Sequence, residues 1–399
     1  MKLTSPASDV MDRELLMNDV SYAGRSLLAL VVLLLCGLSS AFAEEKAALR
    51  IAVAAPMSGP FAPMGEQVHR GAELAIEDIN ANGGVGGQKL EIDVVDDKGD
   101  GATAQAVARN LAKSGVRFVV GHFNSGASIP ASEVYAKMGV FMITPASTNP
   151  YFTDGGGKGK NLWNTHRTAG RDDVQGRLAG EYIARAFAGK NAAILSDGTP
   201  YGDGLAFKAK AALKAAGQPE KLMSKIKIGQ KDMSRQIASM KQKKIDVVFF
   251  GGLADEMATL VRQSSEAGFK PQFIAGDGIF SADFPKAAGP GIEGTMFAFS
   301  LEDRDHADAQ AVVARFRAKG FEPEAYTLKA YAAVQVVAKG IEIAGKSDPK
   351  AVAKAVRSGS PIPTVLGPLT FDAKGDRREP DVAWYVWKAD GSYSPVMQK

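Results

Sequence analysis

From Leu49 onward the chain alternates short apolar runs with segments of helical periodicity, and it goes through that alternation twice. Residues 49–55 form an apolar run closed by Pro56, the pattern of a strand covered on both faces in a parallel sheet. Val68, Ala72, Ala75, Ile76 and Ile79 then recur at helical spacing until Gly83-Gly84 stops the helix. Leu90, Ile92 and Val94 alternate with Glu91 and Asp93, a second strand. Residues 102–114 read as a helix, 116–121 as a strand, 128–137 as a helix and 140–144 as a strand. A glycine-rich loop at 155–160 follows, and the alternation restarts. Helices are expected over 172–188, 203–216, 233–243 and 254–267, and strands over 192–197, 222–228, 245–251 and 272–275. Residues 307–319 and 326–344 read as long amphipathic helices, and 384–387 as a strand turned by Asp390-Gly391. Strands separated by helices of this length dictate right-handed βαβ units and a doubly wound parallel sheet. The restart dictates a second sheet of the same kind, as the length of 399 residues also favours.

Ahead of the first strand, the apolar run 27–38 follows Arg25 and leads into Ala41-Phe42-Ala43. A basic flank, a short apolar stretch and a small-x-small site make a secretory signal peptide, with cleavage expected after Ala43. Met11 and Met17 are alternative starts to Met1. The run is too short to span a bilayer comfortably. The only cysteine, Cys36, falls inside it, and Leu35 stands where a lipid-attachment site wants a small residue. The mature chain is therefore expected to be periplasmic and without disulfide or thiol chemistry. Of 48 basic and 44 acidic residues, three and four lie within 1–43, leaving 45 and 40, well interspersed. That is no nucleic-acid footprint.

Ligands of open α/β sheets sit beyond the carboxyl ends of the strands. In the first half those positions hold Ser58-Gly59-Pro60 and Met64, then 122–128 with Phe123 and Ser125, then Pro145-Ala146-Ser147-Thr148. In the second half they hold 196–202 with Tyr201, then Gly251-Gly252-Leu253, then Gly276-Asp277-Gly278. Hydroxyls and N–H groups at helix starts suit a carboxylate, and Asp277 suits a cation. Met64, Phe123, Tyr201 and Leu253 supply apolar wall between them. The set fits an apolar zwitterion. Catalysis fits poorly. His69, His122, His166 and His306 are scattered, without metal-ligand spacing, and read as stray surface or loop residues. Gly83–Gly87 follows a helix and precedes a strand, the wrong context for a dinucleotide fingerprint. The 96–101 turn puts Lys98 at a calcium-ligand position and is rejected as a calcium loop. No metal and no cofactor is expected.

The strings AAPMSGPFAPMGEQVHRGAELAIEDINANGGVGG from Ala54, VVGHFNSGASIPASEVY from Val119, MITPASTNP from Met142, YGDGLA from Tyr201, GDGIFSADF from Gly276 and LGPLTFDAKGD from Leu366 resemble the periplasmic leucine/isoleucine/valine-binding proteins of ABC importers. The resemblance runs in order over nearly the whole mature chain. It implies the type I periplasmic binding protein fold: two doubly wound α/β lobes joined by a three-segment hinge that closes over ligand. The lobes would be 44–166 with 301–378, and 167–300 with 379–399. It implies carboxylate contacts at Ser125, Ala146 and Thr148, a second-lobe tyrosine at Tyr201, an ammonium partner at Asp277 beside Gly278, and an aromatic wall at Tyr326. Three positions depart from the best-known members: Met64 replaces an aromatic, Leu253 a tyrosine, and Asp277 a glutamate. The implied role is capture of an aliphatic, branched-chain amino acid and its delivery, by a monomer, to a membrane ABC permease. Relatives that bind other amino acids, small amides or aromatic acids, or that present ligand to a membrane receptor, leave those alternatives open.

Overall fold

The computed structural model describes residues 47–155, 161–300, 302–379 and 382–396. The expected signal peptide, with Cys36, lies outside the described residues, as does most of the 155–160 loop.

Five parallel strands form the first sheet: β1 (Leu49–Ala55), β2 (Leu90–Asp96), β3 (Phe118–Gly121), β4 (Phe141–Thr144) and β5 (Thr165–Arg167), in the order β2-β1-β3-β4-β5. β3 and β4 are buried along their whole length, whereas in the edge strand β2 only Leu90 is buried. That difference follows from position, since an inner strand is covered on both faces. Helices α1 (Ala62–Ala81), α2 (Gly101–Lys113) and α3 (Ser125–Met138) connect these strands.

The second sheet has seven strands. β6 (Ala192–Ser196), β7 (Leu222–Lys225), β8 (Val247–Gly251), β9 (Gln272–Ala275) and β10 (Met296–Phe299) run parallel in the order β10-β9-β8-β6-β7. Helices α4 (Asp172–Ala186), α5 (Pro200–Ala215), α6 (Ser234–Gln242), α7 (Ala254–Glu266) and the short α8 (Phe284–Ala288) accompany them. After β10 the chain returns to the first sheet with α9 (Gln310–Ala318), α10 (Thr327–Ala344), α11 (Pro349–Val356) and the hairpin β11 (Ile362–Thr364)–β12 (Gly367–Leu369). α10 packs across α1 and the β3–β4 face, and Lys319, at the end of α9, pairs with Glu77 of α1 at 2.7 Å. The chain then crosses back, and β13 (Ala383–Trp387) and β14 (Tyr393–Pro395) extend the second sheet antiparallel beyond β10. The polypeptide thus passes between the sheets three times.

Several element limits differ from the sequence reading. α3 starts at Ser125 rather than 128 and α5 at Pro200 rather than 203, which brings Ser125 and Tyr201 into first turns. Pro200 at the first helical position and Thr199 as its cap, accepting the Gly202 N–H at 3.0 Å, account for the earlier start. The sequence reading contains no β5, β10, α11 or β11–β12. β5 is Thr-His-Arg and carries no apolar alternation, yet all three residues are buried.

β5 is buried because its polar side chains find fixed partners. The Arg167 guanidinium, with no exposed surface, pairs with Asp376 at 2.6 Å and donates to the carbonyls of Ser147 (2.8 Å) and Asn149 (3.2 Å) and to Thr153 Oγ1 (2.7 Å). Arg171 takes the other Asp376 oxygen at 2.5 Å, and Arg377 Nη1 donates to the Thr168 carbonyl at 3.2 Å. These bonds join stretches of chain that lie at the passages between the sheets. Removing one partner of a buried pair strands the other charge, at a cost of about 3–5 kcal/mol. Asp376→Ala should therefore lower the stability measured by urea unfolding by roughly that amount; a loss below about 1 kcal/mol would mean the carbonyls alone sustain Arg167.

Candidate ligand-binding site

A cavity of about 170 Å³ lies beyond the carboxyl ends of the strands of both sheets. Each lining stretch follows a parallel strand: Gly99–Gly101 after β2, Phe123–Gly126 after β3, Ala146 after β4, Thr199–Tyr201 after β6, Ile228 after β7, Leu253 after β8 and Asp277-Gly278 after β9. Phe61, ahead of α1, and Tyr326, ahead of α10, complete the lining.

One end of this cavity is rich in donors. Ser125 and Gly126 open α3, where position alone leaves the N–H groups without helical acceptors. The Ser125 hydroxyl accepts the Asn149 N–H at 3.3 Å. Gly101 opens α2, whose cap Asp100 accepts from Thr103 N at 2.8 Å. Aligned helix starts of this kind favour negative charge.

The loop after β3 is held by buried polar groups. Gly121 has φ +134°, and a Cβ there would lie 2.0 Å from the Ala54 carbonyl oxygen, so only glycine fits. His122 is fully buried, with Nδ1 2.5 Å from Asp97 Oδ2 and Nε2 3.2 Å from the Tyr135 hydroxyl. Its carbonyl accepts from the hydroxyls of Thr144 (2.6 Å) and Ser128 (3.1 Å). His166 is equally buried, stacked on Phe141 with centroids 4.3 Å apart, and burial holds its imidazole well below the usual range. The reading of these histidines as stray surface or loop residues is thus corrected: His122 is a loop residue but buried with both ring nitrogens partnered, and His166 lies in a buried strand, its Nε2 accepting from Arg357 at 3.1 Å. The 96–101 turn is likewise tied down. Asp96 accepts from the N–H groups of Met57 (2.9 Å) and Lys98 (2.8 Å), and Asp97 is committed to His122. Among the described residues no cluster of acids, histidines or cysteines could hold a metal ion.

The opposite end of the cavity is acidic. Asp277 is buried, and its Oδ1 accepts the Tyr201 hydroxyl at 2.8 Å while Tyr326 reaches Oδ2 at 3.4 Å. The Tyr201 oxygen also accepts the Gly278 N–H at 2.7 Å, and the Asp277 N–H donates to Gln175 at 3.2 Å. Burial raises the Asp277 carboxyl above its ordinary range, opposed by the bonds from Tyr201 and Gln175. Behind it Asp172, fully buried, is raised further, first by burial and then by Asp277. Phe123 meets Tyr326 edge to face at 4.8 Å, which fixes the wall between the two ends.

Of the ten residues singled out from sequence, Phe123, Ser125, Ala146, Tyr201, Leu253, Asp277, Gly278 and Tyr326 line this cavity. Met64 does not; it packs against the apolar core, and the ring at that wall is Phe61, three residues earlier. Thr148 lies beneath the wall, 1% exposed. Sequence reasoning missed Phe61, Gly99–Gly101 and Ile228. The last two stretches follow β2 and β7, so the strand-end rule would have found them.

A model of the family described as "Periplasmic binding protein" matches residues 48–392. The Leu/Ile/Val-binding protein homolog 1 of Brucella suis is 45% identical over 350 residues, 87% of this chain and 93% of that one. The leucine-binding protein LivK of Thermotoga maritima superposes with TM-score 0.80 at 25% identity, covering 88% of this chain and 98% of the other. The branched-chain amino-acid transporter substrate-binding protein LivJ of Streptococcus pneumoniae, solved with isoleucine, gives TM-score 0.77 at 25% identity over 88% and 99%.

Thr199, on the cavity wall, is itself fixed by Asp197, which accepts its N–H at 2.9 Å and its hydroxyl at 2.6 Å. Burial, with Glu256 and Asp203 nearby, pushes the Asp197 carboxyl up to about 6. The folded state then holds this proton more tightly than the unfolded chain, so its contribution falls as pH rises from about 4 through about 6. Asp197→Asn keeps an acceptor for Thr199 and removes the charge. It should be more stable than the parent at pH 8, by up to about 3 kcal/mol, with the gain vanishing below about pH 4. Thermal unfolding of both proteins across that range measures the difference, and a gain that does not depend on pH would refute the assignment.

Proposed function

The chain belongs to the periplasmic binding protein family, in its leucine/isoleucine/valine-binding branch, and on that premise we propose that it captures an aliphatic, branched-chain amino acid in the periplasm for delivery to a membrane ABC permease. The observation that carries the reading is a buried carboxylate, Asp277, set across a cavity from the N-termini of α2 and α3. Such a field is complementary to a zwitterion, ammonium at the acid and carboxylate at the helix starts. Phe61, Phe123 and Leu253 leave the wall between them apolar. Ser125, Gly126 and the backbone at Ala146 take the ligand carboxylate, and Thr148 supports that loop from beneath. Asp277, with Tyr201 and Tyr326 fixing its oxygens, takes the ammonium. The names of the Brucella suis relative and of the isoleucine-bound streptococcal protein support the branched-chain class.

In this reading the protein performs no chemistry on its ligand, acts as a monomer without nucleic acid, and is secreted by cleavage after Ala43. The lobes 44–166 with 301–378, and 167–300 with 379–399, close on the ligand about the three passages between the sheets. Binding that favours one arrangement of the lobes is what a permease can recognise.

Truncating one member of a buried charge pair costs roughly 2–5 kcal/mol, so Asp277→Ala should weaken L-leucine binding by more than about tenfold. Ser125→Ala removes a neutral donor to a charged group and should lose about 1–2 kcal/mol. Calorimetric titration with L-leucine, L-isoleucine and L-valine reads both effects. Unchanged affinity in Asp277→Ala would remove that residue from the site.

A further inference from the structure

Next along the chain from the Asp277–Ile279 turn, Phe280 lines a second cavity, of about 350 Å³, that shares no lining residue with the first. Three rings form one corner of it. Phe280 and Tyr393 stand at 90° with centroids 5.1 Å apart, and Trp387 lies 5.2 Å from Tyr393 at 73°. The rest of the lining carries Arg304, which meets that corner at the Tyr393 hydroxyl, with Glu322 and Glu324.

The charges there are not balanced. Arg304 is fully engaged: it donates to both oxygens of Glu302 (2.7 and 2.9 Å), to Glu322 (3.0 Å) and to the Tyr393 hydroxyl (2.6 Å). Glu322 is also held by Arg317 at 2.8 Å. Glu324 has a neutral side-chain donor, Gln67 at 3.0 Å, and no ion pair among the described residues. Burial, with Asp283 and Glu322 nearby, raises its carboxyl above the usual range, opposed by the Ala282 N–H and the Arg304 charge. A half-buried carboxylate without an ion pair of its own thus lines the same cavity as the aromatic corner. Ring faces attract cations, and a cation that is partly desolvated there gains most.

We propose that this cavity is a binding site for a small alkylammonium cation, seated against the Phe280–Trp387–Tyr393 corner with Glu324 as its counter-charge. The site sits close to the amino-acid cavity by two routes. Phe280 follows the turn that carries Asp277, and Gln67, which holds Glu324, also accepts the Tyr326 N–H at 3.1 Å.

Calorimetric titration of the purified protein with choline chloride at pH 8 tests the proposal. Saturable binding is expected, at least about tenfold tighter than that of the neutral isostere 3,3-dimethylbutan-1-ol. Glu324→Gln, a one-atom change, should weaken choline by about tenfold, as should Tyr393→Leu, while Asp277→Asn should leave it within about twofold. Melting curves of each variant confirm that it is folded. Absence of saturable binding, equal affinity for the isostere, or choline binding unaffected by Glu324→Gln would overturn the proposal. Loss of binding in Asp277→Asn would place the cation in the amino-acid cavity and overturn it equally.

Discussion

The arrangement of both lobes depends on one buried ion pair, Arg167 with Asp376. A guanidinium without solvent contact is tolerable only when its donors are matched, and here the matches come from three separate stretches of chain. The carbonyls of Ser147 and Asn149 belong to the loop after β4, Thr153 follows that loop, and Asp376 follows the β11–β12 hairpin. Loop 146–149, which joins β4 to the segment before β5, is thus tied through Arg167 to the chain at the first passage between the sheets, and through Ala146 it lines the cavity. Under the proposed function, that link offers a route by which ligand and lobe position can be coupled.

The two ends of the cavity are stiffened by different means. At the donor end, His122, Asp97 and Tyr135 form a closed polar chain in the interior, and hydroxyls from Thr144 and Ser128 converge on the His122 carbonyl. Low surrounding dielectric strengthens each such bond and would penalise any left unmade. At the acid end the work falls to Tyr201, which donates to Asp277 and accepts from Gly278. The price is electrostatic: burial opposes ionisation of Asp277, and the Asp277 charge in turn adds to burial in holding Asp172 protonated. Under the proposed function, an arriving ammonium relieves that opposition, so the ligand's charge contributes more here than at a solvated carboxylate.

The apolar parts of the fold were legible in the sequence because inner strands such as β3 and β4 consist of residues whose only favourable place is inside. β5 was not. Thr165, His166 and Arg167 are polar, and they reach the interior only through partners distant in sequence: Arg357 donates to His166 at 3.1 Å, Phe141 stacks on it, and Asp376 neutralises Arg167. No local pattern encodes such partners. The strand-end rule located most of the cavity, since it depends on topology rather than on side-chain detail. It fails at Phe61 because that ring stands in a turn whose geometry the sequence leaves open, and the sequence points instead to Met64.

Contacts between the two sides of the cavity include polar ones, beside the edge-to-face pair Phe299–Tyr326. Asn149 Nδ2 donates to the Pro200 carbonyl at 2.6 Å, and the Tyr326 hydroxyl reaches Asp277 at 3.4 Å. Water can replace hydrogen bonds of this kind at a net cost of about 1 kcal/mol each, whereas an apolar seam would resist separation in proportion to its area. Under the proposed function this balance matters more than the strength of any one contact. A seam held by a large apolar area would stay shut without ligand, and one with no direct bonds would lack register on closing. Hydrogen bonds such as these give the two sides a register, and the ligand, touching both sides, adds the free energy that shifts the balance between the arrangements.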